Sequence, residues 1–427
     1  MKFSPKQALL ILSVIVLAAL GTFGAFSVLF KTSEPDRSAK PAEHEHPAVA
    51  VSVQTNAKTI AEAPPDYDVT ALNQQVGRDC PTNNLACLNT ALLAITEKSG
   101  PKASLLVLRG LQEQGRVGAL TDDHHLAHDI GRKTAERFGM NGRAFLLCPT
   151  TFNYGCQHGF FQYALAQTHA TDNAARLICG SLGESYSSKF RFYCYHGVGH
   201  GVMMAQNYNL AKALAACDML DTTVGRDGCW QGVFMENVNN ASRKVNSPPD
   251  GFSRSNPLAP CNIVPDKYQS ECFVNHAGWL MKVFNNDVAK AAQACLRAPD
   301  AYVSLCLQSI GLMVTNPAWQ PYLARSNGEK EGKTPEVMAW NLCRRFPKEH
   351  QAQCVIGAID NILNFDEFEV SRARTFCNTV DVAYRGICYH QIGVGLMNQA
   401  TNPDVVRQKC ATFEGYDKDE CRQGAGI

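Results

Sequence analysis

The chain has 427 residues, of which 45% are hydrophobic and 19% are charged, and its formal net charge is +1. A chain of this length and hydrophobic content can bury a large core. The near-neutral charge and the lack of a basic block give no support for binding nucleic acid through its phosphates. We therefore predict a folded protein without a nucleic-acid partner.

The amino-terminal segment predicts a membrane anchor. Residues 8–30 carry no charged side chain and are long enough to cross a bilayer as a helix. Residues 1–7 are then a short cytoplasmic end. The protein is predicted to be single-pass, with its folded part in the periplasm or the extracellular space. The alternative is a signal peptide that is cleaved near Ala19-Leu20-Gly21.

Residues 31–68 predict a flexible tether between this anchor and the folded part. They are rich in Pro, Ala and charged residues and lack a sustained helical period. Two histidines in this segment, His44 and His46, are interpreted as incidental rather than as metal ligands.

From residue 69 onward the pattern is helical. Segments such as NLAKALAACDML and PEVMAWNLCRRF place apolar residues at intervals of three and four, as one face of a helix requires. Gly, Pro and Asn punctuate these segments. The pattern predicts an all-α protein with an N-terminal helical segment at 69–147 and Cys-paired α-helical repeats at 148–427.

The eighteen cysteines form nine consecutive pairs with none left over. So many thiols in a regular framework require an oxidising compartment. We predict a disulfide within each pair, and the alternative joins neighbouring units, for example Cys306 to Cys343. The pairs are Cys80/Cys87, Cys148/Cys156, Cys179/Cys194, Cys217/Cys229, Cys261/Cys272, Cys295/Cys306, Cys343/Cys354, Cys377/Cys388 and Cys410/Cys421.

The spacing of the later pairs defines a repeat. The last five pairs are each eleven residues apart, and first cysteines recur after 34 residues, as from Cys261 to Cys295. One helix is predicted to end at the first cysteine and the next to begin at the second. This period is typical of a two-helix unit, and it predicts a disulfide-stapled two-helix-repeat solenoid. Over residues 145–427 the layout resembles that of cysteine-rich Sel1/TPR-like helical-repeat proteins, which implies stacked helix pairs.

Glycines recur in the second helix of each unit, as in Gly197-Val198-Gly199. Glycine weakens a helix by about 1 kcal/mol relative to alanine, so its recurrence predicts close approach between helices. A ligand that approaches the backbone is the alternative.

Two pairs of histidines, His124/His128 and His196/His200, are four residues apart. On a helix this spacing places both imidazoles of a pair on one face, as a divalent transition metal requires. We therefore predict a site for Zn, Cu or Fe. Its candidate ligands are His124, His128, His158, His196, His200 and Glu236. Three carboxylates lie beside the first pair, namely Asp122, Asp123 and Asp129.

A structural role is the alternative for part of this set. At the second residue after the second cysteine, His158 and His196 align with Gln231 and Gln308. Gln is a good hydrogen-bonding partner but a poor transition-metal ligand. The histidines that depart from this pattern are therefore stronger candidates, namely His124, His125, His128, His200 and His276.

Two functions remain open from the sequence. The first is a membrane-anchored scaffold whose concave surface binds a protein, a peptide or a cell-envelope partner. The second is a metal-binding protein or a metal-dependent enzyme that uses the histidine cluster. There is no Cys-x-x-Cys motif and no Gly-x-Ser-x-Gly motif, so a thioredoxin-type site and a serine nucleophile elbow are unsupported. No catalytic residue is assigned.

Overall fold

The computed structural model describes residues 67–118, 122–149, 151–152, 154–168, 171–182, 188–317, 319–329, 333–366, 368–400 and 402–427. Helices make up 72% of these residues, which contain no strand, so the all-α prediction is confirmed. The predicted cytoplasmic end, membrane anchor and nearly all of the tether, with His44 and His46, lie outside the described residues. No helix in the described ranges is long and apolar enough to cross a bilayer.

The helices follow one another along a single compact unit that contains the described residues. The described residues include a short 3-10 helix at Lys348–His350. The α-helices are α1 (Val69–Asp79), α2 (Leu85–Ser99), α3 (Pro101–Glu113), α4 (Asp122–Phe138), α5 (Gly142–Phe145), α6 (Gly155–Thr168), α7 (Thr171–Ile178), α8 (Ser188–Ala205), α9 (Leu210–Asp218), α10 (Thr223–Arg243), α11 (Asp266–Phe273), α12 (Ala277–Val283), α13 (Val288–Cys295), α14 (Asp300–Thr315), α15 (Gln320–Ser326), α16 (Pro335–Cys343), α17 (Gln351–Phe365), α18 (Ser371–Thr379), α19 (Val382–Gln399), α20 (Pro403–Cys410) and α21 (Gly415–Ala425).

The longer helices pack side by side in chain order. Helix α4 contacts α6, α6 contacts α8, and α8 contacts α10. The shorter α11 and α12 connect α10 to α14, which begins a second series through α17, α19 and α21. Helix α8 also contacts α19. Helices that are far apart in the sequence therefore meet.

All nine predicted disulfides are present. Cys306 is bonded to Cys295 and Cys343 to Cys354, so the alternative that joins neighbouring units is wrong. A bridge over a loop of this size typically stabilises a fold by about 2–4 kcal/mol. The bridges are Cys80–Cys87, Cys148–Cys156, Cys179–Cys194, Cys217–Cys229, Cys261–Cys272, Cys295–Cys306, Cys343–Cys354, Cys377–Cys388 and Cys410–Cys421.

The prediction that each second cysteine begins a helix is wrong. The second cysteine of each pair lies inside a helix that begins earlier in the sequence. The number of residues between the helix start and the cysteine is smallest for Cys156 and larger for Cys194 and Cys421. The second cysteines, each with the first residue of its helix, are Cys87 with Leu85, Cys156 with Gly155, Cys194 with Ser188, Cys229 with Thr223, Cys272 with Asp266, Cys306 with Asp300, Cys354 with Gln351, Cys388 with Val382 and Cys421 with Gly415.

The polar residues before these cysteines explain the difference. In α14 the preceding Pro299 has an extended backbone, and Asp300 lies in the first helical turn. An acidic residue there interacts favourably with the helix dipole. The polar residues that suggested a connecting turn therefore form the first turns of the helix. The Cys295–Cys306 bridge thus joins the last residue of α13 to an inner turn of α14.

Reciprocal glycines hold the long helices in backbone contact. A Cβ added to Gly199 of α8 would lie 2.1 Å from the carbonyl oxygen of Cys229, and one added to Gly232 of α10 would lie 2.0 Å from that of His196. Only glycine permits this approach, so the prediction of close packing is confirmed. Equivalent pairs with the same reciprocal contacts are Gly131/Gly159, Gly311/Gly357 and Gly393/Gly424.

Candidate metal centre

Five imidazoles from three neighbouring helices meet at one place. His124 and His128 come from α4, His158 from α6, and His196 and His200 from α8. The His158 ring lies at the centre of the group. Its centroid is 5.7 and 5.5 Å from those of His124 and His128, and 6.0 and 4.5 Å from those of His196 and His200.

The five rings divide into two overlapping triads. In each triad the candidate ligand atoms lie within 4.8 Å of one another. The first triad is His124, His128 and His158, and the second is His158, His196 and His200. Gly131 and Gly159 bring α4 against α6, and Gly197 and Gly201 of α8 adjoin Phe161 and Leu165 of α6. Histidines that are separated by up to 76 positions of sequence therefore reach the same space.

The contacts of the first histidine pair define its tautomers. Nδ1 of His124 lies 2.8 Å from the carbonyl oxygen of Phe152. A carbonyl only accepts, so Nδ1 carries the hydrogen and Nε2 keeps its lone pair. That Nε2 lies 2.9 Å from Nε2 of His128, and Gln162 donates to Nδ1 of His128 at 2.9 Å. The His124 lone pair therefore points at its partner on the same helix face.

The second pair repeats this arrangement with a carboxylate in place of the carbonyl. Nδ1 of His200 lies 3.0 Å from Oε2 of Glu236, and Nε2 of His200 lies 3.1 Å from Nε2 of His196. The Tyr208 hydroxyl donates to Oε1 of Glu236 at 2.9 Å. Glu236 thus accepts hydrogen bonds on both oxygens, and it lies behind His200 rather than among the ligand nitrogens.

Burial and hydrogen bonding determine the charge state around this second pair. Burial acts to raise the pKa of Glu236, but its interactions with His200 and the Tyr208 hydrogen bond lower it below 4.5. Burial and the Glu236 carboxylate raise the pKa of Tyr208 to about 12. Glu236 is therefore ionised at neutral pH, and an ionised carboxylate requires the His200 hydrogen to be on Nδ1.

The other imidazoles are held in the neutral form. Burial lowers the pKa of His124 to about 4. Burial, reinforced by the neighbouring imidazoles, lowers the pKa values of His128, His158 and His196 well below 6.5. Neutral imidazole is the form that binds metal ions. Nδ1 of His158 is also buried without a protein hydrogen-bond partner, which costs about 1–3 kcal/mol.

The other candidate ligands lie outside the two triads, and several of them make contacts with other groups. Asp123 accepts from Gln112 at 2.9 Å, and Asp129 accepts from Asn89 at 2.7 Å. Asp122 and His125 belong to neither triad. His276 lies near Cys261 and Cys272, but those two sulfurs form a disulfide and offer no thiolate. His276 instead contacts the carbonyl oxygen of Pro257 at 2.7 Å.

The sequence analysis missed the residues that orient the imidazoles. Gln162 follows His158 by four residues on α6, so helical spacing could have indicated it. The Phe152 carbonyl and the Tyr208 hydroxyl carried no local signal, because they reach the site only through the packing of separate segments. Comparison of the chain with protein-family models, curated proteins and solved structures gives no match. The chemistry of the site is therefore argued from its own atoms.

Proposed function

We propose that this protein binds divalent transition-metal ions at its five-imidazole cluster. The observation that carries the proposal is the pair of overlapping histidine triads that share His158. Imidazole ligand sets suit Zn²⁺, Cu²⁺ and Fe²⁺. A hydrogen-bonding role alone would not account for five imidazole rings packed together, including that of His158, whose Nδ1 is buried without a protein partner.

The distances within each pair are close to those of a chelate. With Zn–N bonds of about 2.0–2.1 Å, two nitrogens of a tetrahedral site are roughly 3.3 Å apart. The Nε2 atoms of His124 and His128 are 2.9 Å apart, and those of His196 and His200 are 3.1 Å apart. An adjustment of a few tenths of an ångström would admit an ion. Three imidazoles with one open position is also a ligand set of catalytic zinc sites.

The groups behind the ligands support the same function. Metal-binding histidines commonly donate their other ring N–H to a carboxylate or a carbonyl, which orients the ring. His200 has such a partner in Glu236, and His124 has one in the Phe152 carbonyl. Gln162 can serve His128 through its amide oxygen once an ion replaces the hydrogen on Nε2. We therefore assign Glu236 to orienting His200 rather than to direct ligation.

The remaining parts of the sequence interpretation belong to this proposal. The nine disulfides favour an oxidising compartment, which agrees with a folded part in the periplasm or extracellular space behind a membrane anchor. The regular helix pairs favour the two-helix-repeat solenoid. A scaffold that binds a protein, peptide or envelope partner stays a prediction, because the contacts described above favour the metal function.

Elemental analysis tests the proposal directly. The full chain is purified without a His tag from an oxidising compartment, with its disulfides intact, and is then incubated with Zn²⁺, Cu²⁺ or Fe²⁺. We expect at least one tightly held equivalent in the wild type, a loss of most of it in His158→Ala, and no loss in the matched control His125→Ala. Circular dichroism and a thiol assay confirm that both variants are folded and oxidised. Equal metal content in wild type and His158→Ala, or no metal in either, would contradict the proposal.

A further inference from the structure

The two triads differ in their access to solvent. In the first triad, His124 and His128 are partly exposed. In the second triad every ring is buried, since His158 is 5% exposed and His196 and His200 are each 3% exposed. A metal ion arrives from solvent with a shell of bound water. Of the two triads, the first is therefore the one that an incoming ion can reach while it still keeps part of that water.

Two tyrosine rings adjoin the buried triad. The Tyr154 ring is stacked against that of His158 with 6.5 Å between centroids, and the Tyr193 ring centroid lies 6.0 Å from that of His196. The two tyrosines are stacked on each other at 4.6 Å. Apolar surface around a metal site controls the access of solvent to it. An ion in the second triad would thus be surrounded by protein groups rather than by water.

The second triad also has a negative charge directly behind one of its ligands. Nδ1 of His200 lies 3.0 Å from the ionised Glu236 carboxylate. Moving a cation out of water into a protein interior is costly, and a nearby carboxylate offsets part of that cost. The carboxylate and the exclusion of water both favour slow release of an ion from this triad.

The first pair of histidines has neutral groups behind its rings. A backbone carbonyl contacts His124 and a side-chain amide contacts His128. The carboxylates nearest in sequence have other partners, because Asp123 accepts from the backbone N–H of His124 and Asp129 is paired with Arg132. An ion in the first triad would therefore be held less firmly than one in the second.

His158 connects the two positions. It belongs to both triads, and its ring centroid lies 5.5 Å from that of His128 and 4.5 Å from that of His200. No described set of ligand atoms within 4.8 Å of one another includes both histidine pairs, so the arrangement offers two positions rather than one. An ion that moves from the first position to the second can stay bound to His158 while it exchanges its other ligands.

We propose that the first triad is the entry position for a divalent transition-metal ion and that the second triad is its holding position. Bonds from the metal to the first histidine pair break as bonds to the second pair form, while the bond to His158 persists. The hydrogen that His196 donates from Nε2 to His200 then moves to Nδ1 of His196, which is buried without a protein partner. This inference rests on the proposed function, and it describes a protein that takes up an ion and retains it.

The rates of metal uptake and release test the proposal on the full chain. Uptake of Zn²⁺ by the metal-free protein is followed by stopped flow with a coloured Zn²⁺ indicator, and release is followed in excess EDTA. We expect one slowly released equivalent in the wild type. His124→Ala/His128→Ala should slow uptake about tenfold or more and change release much less, whereas His196→Ala/His200→Ala should speed release by about the same factor and change uptake much less.

Two further variants control for indirect effects. His125 is exposed on α4 and belongs to neither triad, so His125→Ala should leave both rates unchanged. Glu236→Gln preserves the size of the side chain and removes its charge, so it should speed release and leave uptake nearly unchanged. Circular dichroism and a thiol assay show that each variant is folded and oxidised. The Glu236→Gln result stands by itself if a double histidine variant does not fold.

The outcomes separate this proposal from the proposed function. A wild type that binds no Zn²⁺ would contradict the proposed function. Metal that is bound through His158, but with uptake and release changed alike in the two double variants, would overturn only the entry and holding roles. Slower uptake in His196→Ala/His200→Ala than in His124→Ala/His128→Ala, or a second equivalent released as slowly as the first, would also overturn them.

Discussion

The Nδ1 atom of His200 lies 3.0 Å from the Oε2 atom of Glu236, so the lone pair of His200 is directed through Nε2 into the imidazole cluster. This contact assigns a positioning role to Glu236. We expect Glu236→Gln to weaken metal affinity by roughly 10–100-fold without abolishing it, as is common when the partner of a ligating histidine is changed. Competition with a chelator of known affinity measures the effect.

The control for this substitution is Glu420→Gln. Glu420 lies 3.8 Å from His390, which belongs to neither triad, so its loss should leave metal affinity unchanged. A loss of affinity in Glu236→Gln as complete as in His200→Ala would show instead that Glu236 ligates the ion directly.

The glycine pair between α8 and α10 predicts a coupled loss of stability and metal affinity. A Cβ at position 232 would lie 2.0 Å from the carbonyl oxygen of His196. Gly232→Ala should therefore force the two helices apart and destabilise the fold by at least about 1–3 kcal/mol. It should also weaken metal binding, because His200 and Glu236 belong to these two helices. Urea unfolding and metal titration measure the two effects.

Gly77→Ala is the matched control for the helix pair. A Cβ there meets nothing within 4 Å, and alanine is favoured over glycine inside a helix by roughly 1 kcal/mol. The control should be neutral or slightly stabilising, with unchanged metal affinity. If Gly232→Ala leaves stability and metal affinity as unchanged as Gly77→Ala does, the result would contradict the close contact between α8 and α10.

Removal of one hairpin disulfide should destabilise the fold measurably. The double variant Cys343→Ser/Cys354→Ser eliminates a bridge that closes a short loop. We expect a loss of about 2–4 kcal/mol in the free energy of unfolding, measured by denaturant titration under oxidising conditions. Peptide mapping of the unreduced wild type should recover Cys343 joined to Cys354. A peptide that joins Cys306 to Cys343 would contradict the pairing.

His276 should make the protein less stable in acid. Burial lowers its pKa to about 4 from an ordinary 6.5. Between these pH values the unfolded chain binds the extra proton, so stability that is present above about pH 6.5 is lost as the pH falls toward 4. A shift of this size corresponds to roughly 3 kcal/mol.

His276→Gln tests this effect because an amide can still donate to the Pro257 carbonyl but does not titrate. The free energy of unfolding of metal-free protein is measured at several pH values between 7.5 and 4. We expect a shallower pH dependence in the variant than in the wild type. Since both proteins share their other titrating groups, identical slopes would exclude a contribution from His276.

Local spacing explains why parts of the site could be predicted before the fold was known. Residues four apart on a helix share a face, so His124 with His128, and His196 with His200, were identifiable as pairs. The same rule could not predict the starts of α14 and α19, because polar residues in a first helical turn resemble those of a connecting turn. It also could not show that the Glu236 carboxylate accepts hydrogen bonds from His200 and Tyr208.

The sequence by itself determined the helical class and the two histidine pairs, since each depends on spacing along one short segment. It favoured the nine disulfide pairs, and the structure excluded the alternative between neighbouring units. Only the tertiary structure decided that both pairs face the same His158, and that Glu236 of α10 contacts His200 of α8. Those relationships depend on how closely separate helices approach. For the histidines, this approach is permitted by Gly131 and Gly159 between α4 and α6, and by Gly197 and Gly201 between α6 and α8. The partners of these glycines lie on another helix and are therefore not defined by local sequence.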